Sequence, residues 1–355
     1  MDKDFTIYRV SKSRLSMQMK SMTFKQIRRL KDTAQALTSR GKKTVKIAVF
    51  GAGAMGSLYA ARFAMAGHSV VAVDPWGAHV AAINANGLRM RGPDGKHHIK
   101  GIQASLSPDL AEDAELVVIA TKASAVSAAA KVIGPLIRAN TTVLTIQNGL
   151  GAGARIAEHL PSECTLLGVA DGFGASMVEP GFVQHTAMKL IRLGEVEGGM
   201  TPRLNAMEDT WQQAGFNAKA FDDIHQLIWE KLLCNVTLSA PCTVYDCTVG
   251  ELLANAEHWA NALTCTQEAY ACGLAEKIRF SFNDPIEYVT KFAEVVAKAS
   301  PSMRLDHMAR RASEIDFING AIPPLGRKHN IPTPMNEKLS ADVRRREEAF
   351  LGEVT

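Results

Sequence analysis

Lys231, Asn235 and Ser239 fall at i, i+4 and i+8 within residues 224–240, a segment that is apolar apart from a few positions. Such spacing draws one polar stripe along an otherwise greasy helix. A lysine in that setting is seldom buried without a partner. Partial desolvation lowers its pKa and makes the ammonium a better proton donor near neutral pH. A carbonyl that accepts hydride needs such a donor, because negative charge builds on its oxygen. Spacing alone fits equally well a lysine that snorkels to solvent at the helix edge.

A second cluster runs Pro301-Ser302-Met303-Arg304-Leu305-Asp306, followed by Ser313-Glu314-Ile315-Asp316 and on to Gly320. Ser313 with Asp316 three residues later resembles a capping box, so a helix is expected to begin there with Glu314 in its first turn. One straight helix over 302–314 would hold Ser302 and Glu314 about 18 Å apart. They can share a small substrate only if the chain turns between them, which a cap at Ser313 allows. Taken alone, Glu314 reads as a first-turn carboxylate favoured by the helix dipole.

The elements that must position these groups begin near Lys46. The apolar run 46–50 ends in Gly51-Ala52-Gly53-Ala54-Met55-Gly56, a helical pattern follows, and Ser69–Val73 reads as a second buried strand closing on Asp74. Strand, glycine loop, helix, strand is the unit that binds a dinucleotide. Gly51 allows the tight turn, Gly53 lets the backbone approach the pyrophosphate, and Gly56 permits close helix–strand packing. Ala54 and Met55 open the helix, whose N-terminus offers unpaired N–H groups to the phosphates. Asp74, at the tip of the second strand, would accept bonds from the adenosine ribose and repel a 2′-phosphate, which favours NAD(H). The alternative is that Asp74, ahead of Pro75, caps the turn, with Arg89 or Arg91 nearby to receive a phosphate.

Two further apolar runs, 116–120 and 142–146, lead into Thr121-Lys122 and Gln147-Asn148-Gly149. Both lack alternation, as strands covered on both faces do, and both end in polar residues where parallel sheets place their ligands. Lys122 and Asn148 are therefore candidates for the nicotinamide end, against a solvent lysine and a turn asparagine. Residues 88–91 and 97–99 flank Gly92-Pro93-Asp94-Gly95 as a hairpin. The stretch 163–196 is expected to finish the sheet. His185, on one of its strands, reads as structural rather than as a general acid.

The chain has 355 residues, 46% hydrophobic and 21% charged, enough for two domains of an ordinary enzyme. No apolar run nears the roughly 18 residues that span a bilayer. Residues 1–46 hold 13 of the 40 Lys and Arg but only 3 of the 36 Asp and Glu, so the body beyond them is net negative and carries no nucleic-acid footprint. That basic extension reads as a dispensable tail or over-long start, a helix docking on the body, or a targeting segment. The six cysteines contain no Cys-x-x-Cys pair and read as reduced core residues, ahead of a zinc site or disulfide framework.

As an ordered set, GAGAMG at 51–56, TKA at 121–123, QNG at 147–149, WEKLLCN at 229–235, SM at 302–303 and EIDFINGAI at 314–322 resembles the ketopantoate reductase (2-dehydropantoate 2-reductase) family, from about Lys46 to about Arg345. The resemblance implies an α/β fold: a Rossmann-type doubly wound parallel sheet over 46–222 after a basic extension at 1–45, then an all-helical substrate domain over 223–355, with the active site in the cleft. It implies that Lys231 donates the proton, that Glu314 orients the substrate oxygen and the lysine, and that Ser302 binds the substrate carboxylate. Asn148 and Lys122 would lie at cofactor and substrate, and Asn235 and Ser239 on the substrate side. The expected reaction is NAD(P)H-dependent reduction of a 2-oxo acid to a D-type 2-hydroxy acid, foremost 2-dehydropantoate in pantothenate biosynthesis, in the cytoplasm. NADP(H) follows from the resemblance and NAD(H) from Asp74. The partner is a small-molecule 2-oxo acid, not nucleic acid or membrane, with a homodimer left open.

Three positions depart from the family. Ser239, Val249 and Ala299 stand where it often carries asparagine, so the pocket has lost amides that could reach a hydroxylated substrate. That favours the alternative of a NAD-dependent D-2-hydroxy-acid dehydrogenase for a more apolar branched or aryl substrate. A dinucleotide-binding redox sensor without catalysis is a third reading; retention of Lys231 and Glu314 speaks against it.

Overall fold

The computed structural model describes residues 44–172 and 174–352, so the readings of the basic extension lie outside the described residues. Four short apolar runs make the centre of the fold. β1 (Lys46–Phe50), β2 (Ser69–Val73), β6 (Leu116–Ile119) and β7 (Thr142–Thr145) pair in parallel in the order β2-β1-β6-β7. Ile47 and Val49 enter one core, shared with Leu58, Phe63 and Trp211; Ala48 and Phe50 enter another, shared with Val126 and Ile133. Burial on both faces is why these strands show no period-two alternation. The crossovers carry α1 (Ala54–Met65), α2 (Gly77–Asn86), α3 (Val126–Ile133) and, after β7, α4 (Ala152–Ala157).

β5 (Gln103–Ser105) flanks β2, while β8 (Thr165–Asp171), β11 (Leu190–Glu195) and β12 (Ala218–Ala220) extend the other side to eight strands, β12-β11-β8-β7-β6-β1-β2-β5. Only part of 163–196 finishes this sheet. β9 (Gly174–Glu179) and β10 (Phe182–Ala187) leave it and join the expected hairpin, β3 (Leu88–Gly92) and β4 (Gly95–Ile99), in a second sheet ordered β4-β3-β10-β9. The reason is amphipathicity: β10 buries Val183 and His185 and leaves alternate residues partly wet, and β9 buries little. Strands with one wet face suit a small sheet laid against α1, not a sheet covered on both sides. His185 is buried, with Nε2 bonded to the Ala187 carbonyl two residues on (3.1 Å), in keeping with its structural reading.

After α5 (Pro202–Gln213) the chain turns helical. Asp223 caps α6 (Ile224–Val244) by accepting from Gln226 N at 3.1 Å. α6 is buried almost all round because α8 (Ala256–Ala275), α9 (Pro285–Val295), α10 (Ser302–Met308) and α12 (Pro334–Gly352) pack about it; α7 (Val249–Ala254) and α11 (Ile322–His329) complete this half. All six cysteines are free and buried. Among the described residues no helix is long and apolar enough to cross a membrane.

The helix expected at Ser313 does not form. Ser313 Oγ accepts from Ile315 N (3.3 Å), but Asp316 turns away to Arg344 Nε on α12 (2.7 Å), and only a single 3-10 turn, Ile315–Phe317, results. Only one of the two bonds of a capping box is made, so a helix start here lacks that support. The required turn between Ser302 and Glu314 exists but lies earlier. α10 stops at Met308, Arg310 takes a left-handed φ of 51°, and Arg311 N closes back on the Asp306 carbonyl (2.9 Å).

Candidate active site

One small core fixes where the two halves meet. Leu167 and Val169 of β8 pack on Ile224 and Leu227 at the start of α6. That contact brings Lys231, two turns into α6, over the C-terminal end of β8. Lys231 Nζ donates to the Ala170 carbonyl (2.6 Å) and to Asn148 Oδ1 (2.7 Å). An ammonium has three protons to donate; two are spent on these acceptors and the third is unspent. Burial pushes the Lys231 pKa down from its ordinary value, while the charges of Asp171 and then Glu314 push it back up. Asp171 is itself paired with Arg192 (2.6 Å).

Glu314 lies opposite, yet among the described residues it forms no ion pair with Lys231. Its Oε1 accepts from Ala123 N (3.0 Å), at the start of the 3-10 turn leading into α3, where unpaired N–H groups favour an anion. The direct orientation of Lys231 by Glu314 that the resemblance implied is therefore supplied by Asn148 and Ala170, and Glu314 reaches the lysine only through its field.

Lys122 does not stand free at the mouth of the sheet. Its Nζ pairs with Asp306 Oδ2 on α10 (2.6 Å), and Asp306, 6% exposed, also takes Arg311 on Oδ1 (2.9 and 3.1 Å). Ser302 is one turn before Asp306 on the same face of α10. Ser302, Asn235 and Ser239 have no side-chain hydrogen bond to the rest of the described chain, which leaves all three available to a ligand.

The QNG loop meets the 315–317 turn directly: Leu150 N donates to the Phe317 carbonyl (2.8 Å). Gln147 Nε2 ties the loop to the end of β6 through the Ile119 (2.7 Å) and Thr121 (3.2 Å) carbonyls. The segments that follow β6 and β7 and the end of β8 thus all hand polar groups to the helical half, as expected at the carboxyl edge of a doubly wound sheet. Residue types alone missed Asp306, Asp171 and the Ala170 carbonyl. Asp306 lay inside the 301–306 cluster without a role; Asp171 and Ala170 had no signal in the chain.

The glycine loop fits a dinucleotide. Gly51 has φ +88° and a Cβ there would sit 2.7 Å from Thr121 N; a Cβ on Gly56 would sit 1.8 Å from the Gly51 carbonyl oxygen. Gly53 has nothing within 4 Å of its missing Cβ and caps α1 with no side-chain bond, so the first turn of α1 is not capped by its own N-cap side chain. Gly53→Ala is accordingly expected to fold with an unchanged Tm and yet to weaken dinucleotide binding about tenfold or more, read by nicotinamide fluorescence titration. A lower Tm with intact binding would contradict it.

Asp74 is 9% exposed, and its Oδ1 accepts from Trp76 N (2.8 Å), so it does cap the turn. Arg89 is paired with Glu179 (2.7 Å) and Arg91 with Gln184 (2.6 Å), both on the small sheet and both exposed.

Known proteins share this fold and much of this sequence. The model of the family described as ketopantoate reductase PanE/ApbA matches residues 47–198, and that of its C-terminal part matches residues 223–347. A 2-dehydropantoate 2-reductase of Mesorhizobium japonicum is 32% identical over 326 residues, covering 85% of this chain and 97% of the relative. One of Streptococcus pyogenes is 28% identical and covers 84% and 97%. Among solved structures, a PanE/ApbA family ketopantoate reductase from Ralstonia eutropha superposes with a TM-score of 0.80 at 27% identity, covering 86% and 99%. The ternary structure of a D-mandelate dehydrogenase with NADH and anilino(oxo)acetate gives 0.79 at 29%, with the same coverage.

Proposed function

The chain belongs to the ketopantoate reductase family and is an NAD(P)-dependent oxidoreductase acting on a CH–OH group; from that premise we propose that it reduces 2-dehydropantoate, or a close 2-oxo acid, to the D-type 2-hydroxy acid. The observation that carries the reading is the Lys231 ammonium, held by two acceptors with one proton unspent at the carboxyl edge of the sheet. Gly51, Gly53, Ala54, Met55 and Gly56 would hold the pyrophosphate and Asp74 the adenosine ribose of a dinucleotide, which when bound would supply the hydride. Lys231 gives its third proton to the carbonyl oxygen as negative charge develops there, and solvent reprotonates the amine. Asn148 keeps the ammonium aimed, and Ser302 with Asn235 binds the substrate carboxylate and hydroxyl. Asp171 and then Glu314 favour the charged form of Lys231 against the burial that lowers its pKa.

A second reading rests on specific observations. Ser239 is buried on the cleft-facing stripe of α6 with no side-chain partner among the described residues, and it is shorter than the asparagine of the resemblance. The D-mandelate dehydrogenase neighbour, an enzyme solved with NADH, has an arrangement of similar fold. Both favour an apolar or aryl 2-oxo acid. Loss of reduced-nicotinamide absorbance with 2-dehydropantoate and with phenylglyoxylate, under NADH and NADPH, separates the readings. No turnover with either acid, despite tight dinucleotide binding, would sink both.

Cofactor choice rests on Asp74, whose carboxylate meets a ribose 2′-hydroxyl but repels a 2′-phosphate. Asp74→Arg is expected to move the NADPH to NADH ratio of kcat/KM upward by about tenfold or more. An unchanged ratio would discard the ribose argument.

A further inference from the structure

We infer that His79 is the positioning residue of the dinucleotide loop, a neutral imidazole that ties the glycine loop to the turn carrying Asp74 and Trp76. His79 lies in the first turn of α2 and is fully buried. Gly181 N, at the β9–β10 turn, donates to its Nδ1 (2.9 Å), so that nitrogen bears no proton. Ser57 Oγ stands 3.1 Å from Nε2, and its own hydroxyl proton goes to the Ala52 carbonyl (2.6 Å). Ser57 can therefore only accept from His79, and the proton must sit on Nε2. The network assigns the tautomer without reference to any ligand.

Both ends of this relay belong to the dinucleotide site. Ala52 is the second residue of the glycine loop, and Ser57 follows Gly56 and makes the first bond of α1 to the Gly53 carbonyl (2.8 Å). On the other side the Trp76 indole stacks on the imidazole, centroids 5.1 Å apart and 12° from parallel. Trp76 N fixes Asp74 Oδ1, and the Trp76 carbonyl accepts from His79 N (3.0 Å) and Val80 N (3.1 Å) to start α2. Shifting the imidazole would move the pyrophosphate loop and the ribose-side carboxylate against each other.

The groups facing His79 are Ser57 from α1, the Ala52 carbonyl from the loop, the Gly181 amide from the small sheet, and Asp74 and Trp76 from the end of β2. Burial lowers the His79 pKa, and Asp74 and the Ala52 carbonyl partly restore it. A proton on Nδ1 would set two donors face to face with Gly181.

The inference rests on dinucleotide binding alone and not on the identity of the substrate, so its test reads binding. Nicotinamide fluorescence titrations with NADH and with NADPH give Kd for His79→Asn, which keeps an acceptor for Gly181 but cannot reach Ser57, for His79→Gln, which reaches Ser57, and for Ser57→Ala. His79→Asn and Ser57→Ala should each raise Kd about tenfold, His79→Gln by less than about threefold. Combining His79→Asn with Ser57→Ala in one protein should be no worse than either change alone, because both cut one relay. Kd within about twofold of the unaltered protein in both single variants, whatever their Tm, overturns the inference, as does full additivity. If His79→Asn fails to fold, Ser57→Ala against His79→Gln decides by the same criterion.

Discussion

Lys231→Ala is expected to lower kcat for 2-oxo acid reduction about a thousandfold while leaving dinucleotide affinity within about twofold. Two losses combine. In the proposed reaction the carbonyl oxygen loses its proton donor, and Asn148 Oδ1 and the Ala170 carbonyl lose the donor that both now share. The glycine loop is formed by β1 and α1 and does not depend on this side chain, so binding and turnover should separate. A variant that keeps more than a tenth of the turnover would remove the acid role from Lys231.

The same lysine sets the pH dependence. Reduction needs the protonated amine, and burial holds the Lys231 pKa below the ordinary lysine value. kcat/KM for reduction should therefore be level on the acid side of that pKa and fall about tenfold per pH unit above it, starting at a lower pH than an exposed lysine would allow. The reverse oxidation, which needs the free amine, should rise over the same interval. Lys231→Arg keeps a cation whose proton does not leave in this range, so its alkaline limb should vanish. Persistence of the limb in that variant would assign it to another group.

The second large effect is expected at Gly149. Its φ is +84°, and a Cβ there would lie 2.0 Å from the Phe317 carbonyl oxygen and 2.6 Å from its carbon. Both are backbone atoms of the 315–317 turn, so no flexible side chain can give way. Gly149→Ala then combines a left-handed strain of about 1–2 kcal/mol with displacement of the turn, for a total of about 3 kcal/mol or more. Because Asn148 precedes it and Glu314 precedes the turn, kcat should fall together with Tm, the latter by roughly 5 °C or more. Gly53→Ala is the contrast: a glycine with open space, where binding is expected to fail and stability to hold. A Gly149→Ala protein of normal Tm and turnover would mean the loop does not dock on the turn.

Much of the fold was legible because it is local. Doubly buried strands betray themselves by unbroken apolar runs, as in β1, β2, β6 and β7, and the glycine loop announces its turn. The errors arose where an element's fate depends on a distant neighbour. β9 and β10 have strand sequences, but which sheet they join depends on α1 offering a surface. Ser313 and Asp316 have the spacing of a cap, but Arg344 takes Asp316 instead.

The chain by itself determined that Lys231, Asn235 and Ser239 share a helix face, because side-chain periodicity is a property of one segment. It also determined that a dinucleotide loop lies between β1 and α1. Which groups meet that lysine was decided only by tertiary packing, across separations of 83 residues to Asn148 and 61 to Ala170. The same holds for Lys122 with Asp306, 184 residues away, and for Glu314 with Ala123, 191 residues away. The partners of Lys231 follow from where α6 sits on β8, and that placement comes from non-directional burial of Leu167, Val169, Ile224 and Leu227, which leaves no spacing in the sequence to read.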